Sequence, residues 1–238
     1  MKRAIAWMCV AALTCALGTS SQAATLQVSP VLIDAGESSA AEKLVLRNKG
    51  ATPINAQIRL FGWRQSEGQD VLEPTRAIVA SPPFASIPPG GEQVVRIVRV
   101  DRSKPAREAS YRLIVDELPD KSERRTSGVN FVMRYSVPVF FGSPAGAAPR
   151  LDWKVRAEKG AVVVTAVNTG ARRVRVSELV LRNSGGEMLA ARRGLVGYVL
   201  GNSTATWKIP AGKVSSGSRV LITGNGDVGP IHGQAVAP

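Results

Sequence analysis

The chain has 238 residues, 31 basic against 18 acidic, for a formal charge of +13, with 1 histidine and 2 cysteines. A lone His232 excludes a histidine-built metal site and argues against a Ser-His-Asp triad, and two cysteines cannot make a four-thiolate zinc or iron–sulfur centre. A hydrophobic content of 44% is enough for packed cores, and the length suits one large domain or two ordinary ones.

The first residues read as a secretory signal. Met1-Lys2-Arg3 is basic, Ala4 to Leu17 is apolar, and Ser21-Gln22-Ala23-Ala24 offers small residues for cleavage. The apolar run is shorter than the roughly 20 residues that span a bilayer, so residues 1–23 are expected to be removed and no membrane insertion follows. Cys9 and Cys15 both fall inside that segment. The exported chain would then enter an oxidising compartment without thiols, held by its core rather than by disulfides.

Beyond the signal the pattern is strand-like: Lys43 to Arg47, Asn55 to Leu60, Val94 to Val100, Tyr111 to Glu117, Val129 to Phe141, Ala161 to Val167 and Val174 to Leu181. These runs are short, rich in valine and isoleucine, and bounded by Gly, Pro, Asn and Ser. No stretch of a dozen residues carries a helical apolar stripe free of Gly and Pro, so an all-β fold is expected. Gly142 to Pro149 is small, turn-forming and uncharged. It marks a boundary between a first domain over 24–145 and a second over 146–238, each the size of an Ig-like β-sandwich. Asn48-Lys-Gly50 and Asn168-Thr-Gly170 each follow a strand, a weak internal echo of two like domains.

Enzyme signatures are absent. There is no phosphate-cradling glycine loop, no nucleophile elbow and no metal-spaced cluster, so neither catalysis nor a cofactor is expected. Asp116 and Glu117 are adjacent and on a strand would point to opposite faces, which prevents cooperation as an acid/base pair. The basic excess is mostly arginine and is spread along the chain. Only 5% of residues are aromatic, too few for the stacking that accompanies nucleic-acid binding. Arginine is the better residue for capturing carboxylates.

One strand stands out. With a period of two, Val129, Phe131, Met133, Tyr135 and Val137 share an apolar face, while Asn130, Val132, Arg134 and Ser136 share the other. Pro138 within it suggests an edge strand or a bulge. An edge carrying a row of large apolar residues is an aggregation hazard unless a partner occupies it.

The run Ser81 to Ile97, then Ser110 to Pro119, then Val129 to Phe141 resembles the first domain of periplasmic pilus-assembly chaperones, the PapD-like family. Gly197 to Thr204 is similar to the alternative, or archaic, branch. The resemblance implies two Ig-like β-sandwich domains in an L-shaped arrangement, and a periplasmic protein that binds incomplete pilin-like subunits by donor-strand complementation. It implies an outer-membrane usher as second partner; release by strand exchange rather than ATP agrees with the absence of a nucleotide motif, and an unloaded edge strand would favour capping through self-association or disorder. Val129, Phe131, Met133 and Tyr135 would be the donor residues. Members of the family anchor the subunit's terminal carboxylate with an Arg on the first strand and a Lys late in the donor strand. Here Thr25 to Ile33 has no basic residue and Pro138 stands at the lysine position. Arg96, Arg112 and Arg134 are the substitute anchors expected. Two other readings remain open at this point: an exported Ig-like structural or adhesive surface protein, and an exported binder of acidic polymers.

Overall fold

The computed structural model describes residues 26–36, 38–100, 107–119, 132–142, 146–211 and 214–238. Among them every regular element is a strand. The all-β expectation holds, and its cause is the alternation of buried and exposed positions along β-branched runs.

One sheet contains β1 (Leu26–Ser29), β3 (Ala41–Asn48), β8 (Glu92–Arg99) and β6 (Ile78–Ser81), in that order. The facing sheet runs β2 (Ile33–Ala35), β10 (Arg134–Phe141), β9 (Ala109–Leu118), β4 (Ile54–Ser66) and β5 (Gln69–Pro74), with β7 (Phe84–Ile87) also paired to β4. All these pairs are antiparallel except β2 with β10, which is parallel. The inner faces close on one core, built from Leu44, Leu46, Ile58, Val95, Ile97, Leu113, Val137 and Phe141 among others. Each fully buried side chain of this size contributes about 1.5–3 kcal/mol.

The C-terminal half repeats the plan. A three-stranded sheet of β11 (Leu151–Glu158), β12 (Ala161–Asn168) and β15 (Ser203–Pro210) faces a four-stranded sheet. The latter is ordered β14 (Met188–Val199), β13 (Val174–Asn183), β16 (Arg219–Gly226) and β17 (Gly229–Val236). Val162, Val164, Leu179, Leu181, Ile209 and Ile222 fill its core.

The Asn-x-Gly echo has a structural counterpart. Asn48, the last residue of β3, and Asn168, the last of β12, are both buried. Asn48 Nδ2 donates to the carbonyls of Thr52 and Ile87, at 2.7 and 3.0 Å, while its Oδ1 accepts from Gly50 N. Asn168 Nδ2 donates to the carbonyls of Arg172, Val199 and Leu200, and its Oδ1 accepts from Gly170 N and Arg150 N. In both halves an amide side chain satisfies a turn's backbone groups where no strand reaches them.

Candidate functional site

The singled-out strand is shorter than its sequence pattern. β10 begins at Arg134, Val132 and Met133 precede it without strand assignment, and Val129 and Phe131 lie outside the described residues. Its odd-numbered side chains turn inward: Val137, Val139 and Phe141 belong to the core, and half-buried Tyr135 packs against it. The Tyr135 hydroxyl donates to the Leu26 carbonyl on β1, tying the two sheets together at this end. Met133 lies one step further out and is half-buried, and Val132 is exposed. Glu117 holds the backbone there, its N–H donating to the Met133 carbonyl at 2.9 Å and its carboxylate accepting from Met133 N.

Backbone direction alternates as well. Because Met133 pairs with Glu117 on β9, the odd residues address β9 and the even residues address the opposite edge. Gly142 N donates to the Ala35 carbonyl of β2, which confirms the same parity at the far end. The β2 register reaches only Val139↔Ile33, Phe140↔Asp34 and Phe141↔Ala35. Among the described residues, therefore, the edge of β10 at Arg134 and Ser136 has no strand beside it.

The even-numbered side chains lie on the outer face of this sheet. There Asp116 of β9 sits opposite Arg134, and its carboxylate accepts hydrogen bonds from Arg134 Nε and from Arg59 Nη2 of β4. Burial by itself would raise the Asp116 pKa, but these hydrogen bonds and the two cationic charges outweigh it and hold the carboxyl below its usual range. The guanidinium of Arg134 stays largely exposed.

Further along the same face, Arg112 stands opposite Pro138, its guanidinium 3.7 Å from the Trp63 ring centroid and 3.6 Å from Asp70. Burial lowers the Arg112 pKa, against an opposing pull from Asp70 and Tyr198. Trp63, Phe140, Tyr198 and Leu200 form a third buried cluster, to which the first half contributes Trp63 and Phe140 and the second half Tyr198 and Leu200. Arg96 is elsewhere. It lies on β8, exposed on the outside of the other sheet between Lys43 and Ser81, with the core separating it from β10. Of the three arginines, the structure brings Arg112 and Arg134 onto one face and leaves Arg96 apart.

Sequence reasoning did not single out the residues that join the halves. Arg173, just before β13, is fully buried: its backbone N–H and Nη1 donate to Glu108, and its Nη2 donates to Asp34 Oδ2 at 2.7 Å. Its burial alone would lower the pKa, but the hydrogen bond to Asp34 and the charges of Glu108, Asp34 and Asp227 raise it. Gln65 of β4 donates to the Tyr198 carbonyl and accepts from Leu200 N, mimicking a strand rung across the junction. At the tip of the β4–β5 hairpin, the Gly68 carbonyl accepts from Thr206 N at 2.9 Å. The run Arg172-Arg173-Val174-Arg175 was the only local hint, and it does not say which arginine is buried.

Comparison with known proteins bears on this arrangement. Residues 25–147 match the family described as "Pili and flagellar-assembly chaperone, PapD N-terminal domain". No curated protein matches the chain. Among solved structures it is similar to a chain of the CsuC–CsuE chaperone–tip adhesion subunit pre-assembly complex from the archaic chaperone-usher Csu pili of Acinetobacter baumannii. That match has 29% identity and a TM-score of 0.69, over 90% of this chain and 100% of that one. It shares its fold with the CupB2 chaperone of Pseudomonas aeruginosa, at 20% identity and a TM-score of 0.57 over 89% of this chain and 100% of that one. The same holds for the Salmonella enterica complex of the SafA pilin with the SafB chaperone, at 16% identity and a TM-score of 0.60 over 90% and 97%. With two facing-sheet sandwiches of Ig-like type and a family match over more than half its length, the chain belongs to the pili and flagellar-assembly chaperones.

Proposed function

We propose that this chaperone acts in the periplasm by lending the open edge of β10 to an incomplete pilin-like subunit. The observation that carries the reading is the bare edge at Arg134 and Ser136, continuous with the apolar row that runs outward from Tyr135 through Met133. Backbone hydrogen bonds along that edge supply affinity that does not depend on subunit sequence, and alternate side chains supply the fit. Val129, Phe131 and Met133 enter the subunit's groove, while Tyr135, tied to Leu26, stands where the row passes from partner to the chaperone's own core. The CsuC–CsuE and SafA–SafB complexes, each of a chaperone with a subunit or pilin, support this choice of partner.

Arg112 and Arg134 are the anchors for a subunit carboxylate. Arg134 spends only its Nε on Asp116 and keeps an exposed guanidinium, and Arg112 meets Asp70 only at 3.6 Å, a contact that a better-placed carboxylate replaces. The chaperone makes and breaks no covalent bond. It passes its cargo to an outer-membrane usher that docks mainly on the first domain, and release occurs by exchange with the next subunit's strand. Unloaded, the bare edge favours capping by a second copy.

The test is co-expression in a bacterial periplasm with a pilin-like subunit from a neighbouring gene. The wild-type chaperone keeps the subunit soluble and co-purifies with it, and the double substitution Phe131→Asp, Met133→Asp abolishes this while circular dichroism shows an intact fold. Unchanged co-purification by the double variant overturns the assignment.

A further inference from the structure

Pro138 has a place in the β10 edge that its sequence position alone does not reveal. Its backbone nitrogen is on the even side of the strand, facing away from β9, so its missing N–H removes no rung opposite Arg112. The consequence falls on the other edge. There β2 runs parallel to β10 and its register stops at Val139↔Ile33. One more rung upstream would join Val31 to this edge and would require an N–H from residue 138, which proline does not have. At that point the chain leaves: Val31 is 73% exposed, Leu32 packs into the junction cluster, and β1 belongs to the opposite sheet.

We propose that Pro138 is the stop that ends the protein's own cover of the β10 edge and thereby fixes where an added strand must end, between Ser136 and Pro138. The first half of that statement stands on the free protein, and the second rests on the donor-strand reading above. Proline serves the purpose without weakening the sheet, because it keeps the β9 side intact and is itself buried. Any residue with an N–H at this position would let β2 zip upstream over Val31 and narrow the open edge from within.

Amide hydrogen exchange by NMR on the purified chain tests both halves. In the wild type, Tyr135 and Val137 exchange slowly, whereas Val31, Arg134 and Ser136 exchange fast. In Pro138→Ala, the new amide at position 138 is protected by about tenfold or more relative to Ser136, as a hydrogen-bonded strand amide is, because the Val31 carbonyl accepts it. A wild-type Ser136 as protected as Tyr135 overturns the open edge, whether or not the variant folds. A fast-exchanging amide at position 138 in Pro138→Ala overturns the stop. In the periplasmic co-expression, Pro138→Ala captures less of the pilin-like subunit. Undiminished capture by a variant whose position-138 amide has become protected overturns the role of the stop in binding. Failure of the donor-strand reading itself shows separately, as loss of any effect from Phe131→Asp with Met133→Asp.

Discussion

The guanidinium of Arg173 lies 3.7 Å from the ring centroid of Phe140, so a cation from the second half of the chain caps an aromatic residue of the β10 strand. The same guanidinium holds Asp34, which stands opposite Phe140 on β2, and Glu108 just before β9. The end of β10 is therefore gripped from three sides at the junction, while among the described residues the outer edge of its beginning has no strand beside it. That polarity suits the donor role proposed for this strand, rigid at one end and open at the other.

Removing the grip takes the buried cation away from both Glu108 and Asp34. Arg173→Ala is expected to destabilise the protein by about 3–5 kcal/mol, the range for breaking a buried ion pair from one side. Arg173→Lys recovers only part, since an ammonium makes neither the forked contacts nor the stack on Phe140. Urea unfolding read by far-ultraviolet circular dichroism measures the loss. Wild-type stability in Arg173→Ala would show that the network contributes nothing net.

Asn48 and Asn168 supply a matched pair of experiments. Either substitution to alanine leaves buried carbonyls without donors, at about 1–3 kcal/mol. Each lies in a different sandwich, so Asn48→Ala is expected to lower the unfolding transition of the first domain and Asn168→Ala that of the second. Calorimetry distinguishes the two. A single, equal shift for both would mean that the junction couples the domains into one unfolding unit.

The echo of Asn48 and Asn168 was legible because a turn's chemistry is local, and the strand runs were legible for the same reason: valine and isoleucine announce a pleated, half-buried surface. β14, β15, β16 and β17 carry Gly, Ala, Ser and charged residues among few valines and isoleucines, and no run betrayed them. β4 extends past Leu60 to Ser66 because β5 pairs with its far half and the second domain covers Trp63, neither of which its own residues declare. The junction was the least legible part. Arg173 meets Asp34 from 139 positions away and Glu108 from 65, and no periodicity encodes such a meeting. For the site, the alternation that singled out Met133 and Tyr135 was visible, but the boundary between core and open edge depends on where β2 stops.

The hairpin tip offers a steric test of the junction. Gly68 has φ of +79°, and a Cβ placed on it would lie 2.4 Å from Thr206 Oγ1. Gly68→Val is expected to push the β4–β5 hairpin off β15, losing the Gly68–Thr206 backbone bond, and to cost about 1–3 kcal/mol through strain and clash. Small-angle X-ray scattering should then report a larger radius of gyration at unchanged strand content. An unaltered scattering curve together with wild-type stability would mean that the hairpin tip does not set the domain spacing.

Acid pH probes the outer face of the β10 sheet. The Asp116 carboxyl titrates below its unfolded-state value because Arg134 and Arg59 outweigh its burial. A group depressed in the folded state stabilises the fold above its unfolded pKa, about 3.9, and that contribution is lost as pH falls through the lower, folded value. Stability is therefore expected to decline more steeply below about pH 4 in the wild type than in Asp116→Asn, which lacks the titrating group. Urea midpoints measured from pH 7 down to 2.5 compare the two. The variant starts lower at pH 7, because Arg59 and Arg134 lose their shared acceptor, and the curves converge in acid; parallel curves would show that Asp116 is no more strongly held in the folded chain than in the unfolded one.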